Sequence, residues 1–224
     1  MKKILVVLFV LFLFKPGFLW SAAIDGGVTP LMRACFLGNI QQVEHELADE
    51  AMLHAVDEKG NTALFYAITG ENCGLAQFVV RILLAVDAGV VNAVNAAGHT
   101  PLMCAVIKSR LGLMRILLAA GADVAAKNHA GTTMLRLGIR TGREELVQAL
   151  IDAGVAVDEP TSRGCTPLMY AASCGYVRVV KCLIRAGADL GAKDDMGHTA
   201  LTYARGRAHT LLSRLYAKRE RAGH

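Results

Sequence analysis

One hexapeptide recurs six times along this chain of 224 residues, and its spacing restricts the fold more than any other feature. It reads Thr29-Pro30-Leu31-Met32-Arg33-Ala34, then Thr62-Ala63-Leu64-Phe65-Tyr66-Ala67, then Thr100-Pro101-Leu102-Met103-Cys104-Ala105. It continues as Thr133-Met134-Leu135-Arg136-Leu137-Gly138, Thr166-Pro167-Leu168-Met169-Tyr170-Ala171 and Thr199-Ala200-Leu201-Thr202-Tyr203-Ala204. The threonines stand 33, 38, 33, 33 and 33 residues apart. A constant period of this length marks a unit that cannot bury its apolar face alone and gains a core by stacking on copies of itself.

Each station in the repeat has a physical job. Thr is a helix N-cap whose hydroxyl accepts from amides of the first turn, and Pro in the next place forfeits no needed N–H. The Leu and Ala two and five residues after Thr face the neighbouring repeat, with Ala where helices approach closely. A glycine nine residues after Thr (Gly38, Gly142, Gly175) ends a short first helix. A second helix is predicted over 113–118, 146–151 and 177–184 in the later repeats. Glycines ahead of the later threonines (Gly60, Gly98, Gly131, Gly164, Gly197) supply the positive φ of a tight turn.

The thirty-three-residue period with Thr-Pro-Leu-x-x-Ala resembles the ankyrin-repeat family, in six copies over residues 29–217. The resemblance implies an all-α repeat solenoid, each repeat having two antiparallel helices and a β-hairpin finger. Four departures bear on it. The family's usual His three residues after Thr is replaced by Met32, Phe65, Met103, Arg136, Met169 and Thr202, so its hydrogen-bond network is expected to be absent and packing to take over. The second repeat is five residues longer, with most of the excess assigned to 71–80, before its second helix, and such an insertion is expected to lengthen that helix by about one turn. His45 and Glu46 stand where sister repeats have aliphatics, as an exposed first cap would. The last repeat is read with a truncated second helix (210–217) followed by a basic tail, 218–224.

Both ends of the chain shift its electrostatics. Met1-Lys2-Lys3 is a basic start, residues 4–14 are unbroken apolar, and Ser21-Ala22-Ala23 is a small-x-small cleavage site: the anatomy of a secretory signal peptide. The rival reading is retention as an anchor. Eleven helical residues reach only about 16 Å, half of a ~30 Å hydrocarbon core, and Lys15-Pro16-Gly17 interrupts any extension. Cleavage after Ala23 is therefore expected, giving a periplasmic or secreted chain with no membrane attachment unless the signal stays. The whole chain is formally +5, but residues 24–204 are −3, with the basic excess after Arg205. A mildly acidic body excludes the broad basic face of a nucleic-acid binder.

Chemistry-bearing residues give no reaction centre. The seven His and six Cys lack the pair spacings of a zinc site, and there is no phosphate loop, nucleophile elbow or isolated carboxylate pair. No catalytic residue, metal or cofactor is expected. Cys35, Cys104 and Cys182 replace Ala or aliphatics of sister repeats and read as small core residues. Cys165 and Cys174 map to accessible places, which leaves a thiol redox protein as the alternative function; stacking needs no disulfide.

The resemblance implies a scaffold that binds another protein with its finger tips and the exposed ends of its first helices. The finger residues are Glu58, Lys59, Asn61, His99, Lys127 and His129, continuing with Ser162, Arg163, Asp195, Met196 and His198. The first-helix ends add Phe36, Leu37, Ile107, Lys108 and Arg140. Apolar Phe36, Leu37 and Ile107 beside charges suit a binding hot spot. Lys108, Arg140, Arg163 and Lys193 tilt the face basic, favouring an acidic patch on the partner. The partner is another exported protein, or a host protein if the chain acts as a secreted effector; the chain itself is expected to be a monomer.

Overall fold

The computed structural model describes residues 25–49 and 51–222, so the expected signal segment lies outside the described residues. The chain divides into two compact units, Met1–Ala97 and Gly98–His224. In the first, α1 (Pro30–Leu37) packs on α2 (Ile40–Glu46) and on α4 (Ala63–Thr69), with the single turn α3 (Ala51–His54) between. Helix α5 (Cys73–Val86) packs on α4 and α2 and leads into a 3-10 turn, Ala88–Asn92.

The second unit holds α6 (Pro101–Ile107), α7 (Leu111–Ala119), α8 (Met134–Arg140) and α9 (Glu144–Asp152). It continues with α10 (Pro167–Ser173), α11 (Val177–Arg185), α12 (Ala200–Tyr203) and α13 (Gly206–Ala222). First helices form one packed row, α6 on α8, α8 on α10 and α10 on α12. Second helices form another, α9 on α11 and α11 on α13.

The repeated stations make the core within each unit. Leu31, Leu64, Leu102, Leu135 and Leu168 are buried, as are Ala34, Ala67, Ala105, Gly138 and Ala171. First helices of seven or eight residues are too short to persist alone in water, so their stability comes from this packing. The caps confirm the sequence reading at Thr29, Thr100, Thr133 and Thr166, whose hydroxyls accept from the amide three residues on at 3.2–3.3 Å. Where the family places His, the Met32 and Met169 thioethers accept from the Thr29 and Thr166 amides at 3.4 Å. Those stations therefore bond as well as pack.

Three expectations are corrected. No strand forms among the described residues. The finger is a tight turn, with one isolated antiparallel bridge, Lys127 to Thr133. Within the turn a side chain takes up backbone amides: Asp57 Oδ1 accepts from Lys59 and Asn61.

The long second repeat starts its second helix in the usual register, eleven residues after Thr62. That helix has 14 residues against nine in α7, α9 and α11, so the helix itself absorbs the whole five-residue excess, none of it ahead of the helix. In the last repeat the first helix is the truncated one. Gly206 turns the chain at φ +52°, seven residues after Thr199 rather than nine, and α13 then runs 17 residues through the segment read as a tail. Ala208 and Leu212 are buried, Leu211, Leu215 and Tyr216 half-buried, and Lys218 and Arg219 lie on the exposed side, which made the helix read as a charged tail. At the first cap, α2 stops at Glu46, with His45 exposed as expected.

Two stations depart from their sisters in ways that stability can read. The Thr62 hydroxyl caps nothing and is buried without a partner. Thr62→Val should therefore be neutral or stabilising, whereas Thr133→Val, which removes a working cap, should cost about 1 kcal/mol in urea unfolding. Ser109 stands where Gly38, Gly142 and Gly175 turn the chain, and it has φ +55°. A left-handed conformation strains a residue with a Cβ, so Ser109→Gly should raise stability by roughly 0.5–1 kcal/mol in the same assay.

Candidate functional site

The turn tips are built on an acceptor side chain at the first position of each turn. Asp57 Oδ1 accepts from the Lys59 and Asn61 amides at 2.8 and 2.7 Å, and Asn128 and Asp194 repeat the pattern. Thr161 does so with one bond, to the Cys165 amide at 3.2 Å. The second carboxylate oxygen reaches back to the helix: Tyr66 Oη donates to Asp57 at 2.8 Å, and Tyr203 Oη to Asp194. Tyrosine four residues after Thr thus supplies, in two repeats, the helix-to-turn link that the missing His suggested was lost. Burial pushes the Asp57 pKa up, but the donors Asn61, Tyr66 and Lys59 outweigh it and hold the carboxyl below its usual range. Burial and the Asp57 carboxylate push Tyr66 up to about 12.

Turns then stack on turns inside each unit. In the first, the Ala96 amide donates to the Lys59 carbonyl at 2.8 Å and Asn95 Nδ2 to Asn61 Oδ1 at 3.0 Å. In the second, Gly98 has φ +75°, and a Cβ there would stand 2.4 Å from the His129 amide nitrogen, so only glycine lets these turns close up. The Asp195 amide donates to the Arg163 carbonyl at 3.3 Å.

In the first unit the candidate residues divide by exposure. Glu58 and Lys59 are exposed at the tip, and Leu37 is 53 % exposed at the end of α1. Phe36 is half-buried, edge-on to Tyr66 with centroids 6.4 Å apart. Asn61 is engaged in the turn, its Nδ2 donating to Asp57 at 2.9 Å.

In the second unit Lys108, Arg140, Ser162, Arg163 and Asp195 are exposed, Met196 is 78 % exposed, and Ile107 is half-buried. Lys127 is exposed and ion-paired with Glu159. His129 is exposed; His99 is half-buried with a ring nitrogen 3.2 Å from Asn128 Nδ2. Burial first, then the Arg140 and His129 charges, lower the His99 pKa, so its ring is neutral at pH 7. His198 lies edge-on to Tyr203 at 5.6 Å, with Nδ1 3.8 Å from Asp194.

Sequence reasoning missed Arg136 and Tyr170. Arg136 Cζ sits 4.4 Å from the Tyr170 ring centroid, at cation–π distance. Arg136 and Arg140 both act electrostatically on Tyr170, so these groups share one neighbourhood with it. The available signal was an arginine at a station where Met32, Met103 and Met169 are buried.

The described cysteines Cys35, Cys104, Cys165, Cys174 and Cys182 are free thiols, in no disulfide. Burial pushes Cys35 up to about 12 and Cys104 to about 11, and raises Cys182, whose Sγ donates to Gln148 Oε1 at 3.0 Å. Cys174 is exposed and Cys165 half-buried, as expected. Among the described residues no group of three or more His, Cys, Asp or Glu is placed to hold a metal, and no helix is long and apolar enough to cross a membrane.

Comparison with known proteins agrees with the repeat geometry. A family model described as ankyrin repeats matches in three copies, over residues 31–128, 74–159 and 135–219. No curated protein matches the chain.

The Asp57 turn carries a pH signature. Its folded pKa is depressed, so its stabilisation is present above the unfolded carboxylate pKa near 3.9 and is lost as pH falls through the folded value. Asp57→Asn keeps one acceptor oxygen but aims an amide at the donors Tyr66 and Asn61. It should cost about 1–3 kcal/mol at pH 7 in urea unfolding, and the loss of stability below pH 4 should become shallower.

Proposed function

Because the chain belongs to the ankyrin-repeat family, whose repeats generally mediate protein–protein interaction, we propose that it is an exported, non-catalytic scaffold binding another protein through its turn tips and first-helix ends. The supporting observation is the set of exposed cations without an ion pair at the first-helix ends and a turn tip of the second unit, beside which the second helices carry both ion pairs and the exposed, unpaired Arg115 and Lys181 among the described residues. On the second helices, Glu144 is paired with Arg178 and Arg185 at exposed sites. On the first-helix ends, Lys108 and Arg140 are exposed with no ion pair among the described residues, as is Arg163 at a turn tip.

Unpaired like charges stabilise nothing in the free protein, since they repel weakly across water. Their use is a partner carrying negative charge. Export rests on the basic start, the short apolar run at 4–14 and Ser21-x-Ala23. The partner is therefore a protein of the periplasm or of the medium outside the cell.

Protein isolated from its native envelope should have an intact mass beginning at Ile24; a species that keeps residues 1–23 is an anchored protein. With the partner captured from that fraction, Arg140→Glu combined with Arg163→Glu should abolish binding. The double variant should stay within about 1 kcal/mol of the parent in stability, as surface changes do. Arg178→Glu with Lys181→Glu, on the second-helix side, should bind normally. The opposite pattern places the partner on the second helices.

A further inference from the structure

We infer that Arg136 and Arg140 of α8, with the Tyr170 ring beneath Arg136, form the receptor for an acidic polypeptide segment of the partner. The inference rests on the protein-binding reading above and names the chemistry of what docks.

Arg136 is the anomaly that carries it. The equivalent residues Met32, Met103 and Met169 are buried in the core, whereas Arg136 is half-buried with its guanidinium over Tyr170. The ring orients and partly dehydrates the guanidinium but satisfies none of its N–H donors, which form a planar fork matched to carboxylate. No side-chain hydrogen bond or ion pair to Arg136 or Arg140 exists among the described residues. Glu159 lines the same surface notch as Arg136, yet it is taken by Lys127.

Arg140 follows Arg136 by one helical turn, on the same side of α8. Two like charges so placed destabilise a helix slightly when nothing negative lies between them. Lys108, exposed at the C-terminal end of α6, extends the cationic surface on the helix packed against α8. Two charge-assisted forks with a lysine beyond them fit successive carboxylates on one peptide.

A polypeptide, rather than a nucleic acid, follows from the charge balance. Residues 24–204 are net negative, so the cationic area is local, and a polyphosphate would meet repulsion outside it.

The test uses the whole chain and a fluorescent octaglutamate peptide, read by anisotropy at about 20 mM and about 150 mM salt, bracketing strong and physiological screening. Octaglutamate should bind, and more weakly at the higher salt. Arg136→Met, which restores the residue of the sister repeats and should fold at least as well, should weaken binding roughly tenfold, and Arg140→Gln likewise. Tyr170→Phe should bind within about twofold of the parent because the ring remains. Arg178→Gln, on the opposite side of the repeat, should change nothing.

No octaglutamate binding, equal loss from Arg178→Gln, or equally tight binding of a short oligothymidylate overturns the inference. A native partner that cross-links to the first-helix ends but ignores Arg136→Met and Arg140→Gln overturns it while leaving the protein-binding reading intact. Octaglutamate binding that needs both arginines, with the native partner cross-linking elsewhere, overturns both the inference and the protein-binding reading of this face.

Discussion

A pair of helices seven and nine residues long cannot enclose a core, and everything else in this protein follows from how each pair borrows its neighbour's surface. The leucine two residues after the repeat's threonine is buried in the first five repeats, and within each unit the Ala or Gly three residues later lets neighbouring first helices approach each other. Cooperation between adjacent pairs replaces the single core of a globular domain, so stability is a sum of repeats and nearest-neighbour interfaces. The ends meet this constraint differently. The first repeat breaks its second helix at Glu46, while the last sacrifices its first helix and covers α11 with the long amphipathic α13.

The turns solve a second problem, that of closing a tight reversal without strands. A carboxylate or amide at the first turn position gathers two backbone amides, and at Asp57 and Asp194 it also receives a tyrosine hydroxyl from the helix that follows. Turn and helix are thereby tied together within those two repeats.

On the second helices Glu144 pairs with Arg178 and Arg185, while Arg115, Glu145 and Lys181 are exposed with no ion pair among the described residues. On the first helices of the second unit, Lys108, Arg136 and Arg140 are left without acids of their own. A fold held by apolar stacking has no need of them there.

Much of this was legible in the residues themselves. The spacing of six threonines set the repeat number and the helix starts, since an N-cap, a leucine and an alanine at fixed offsets act through local geometry and a one-dimensional stack. The exposed tips, including Met196 and Arg163, were readable for the same reason. Other features needed the folded chain because they depend on contacts between distant residues. Asp57 meets Tyr66 only once the turn folds back on its helix, and Arg136 finds Tyr170 only when the fourth and fifth repeats stack. The tail became helix because Leu212 and Ala208 pack against elements that no local pattern names, while Lys218 and Arg219 face water. Periodicity determined which residues share a surface; tertiary packing decided which side chains on it are bonded to one another, because those bonds join residues far apart in the chain.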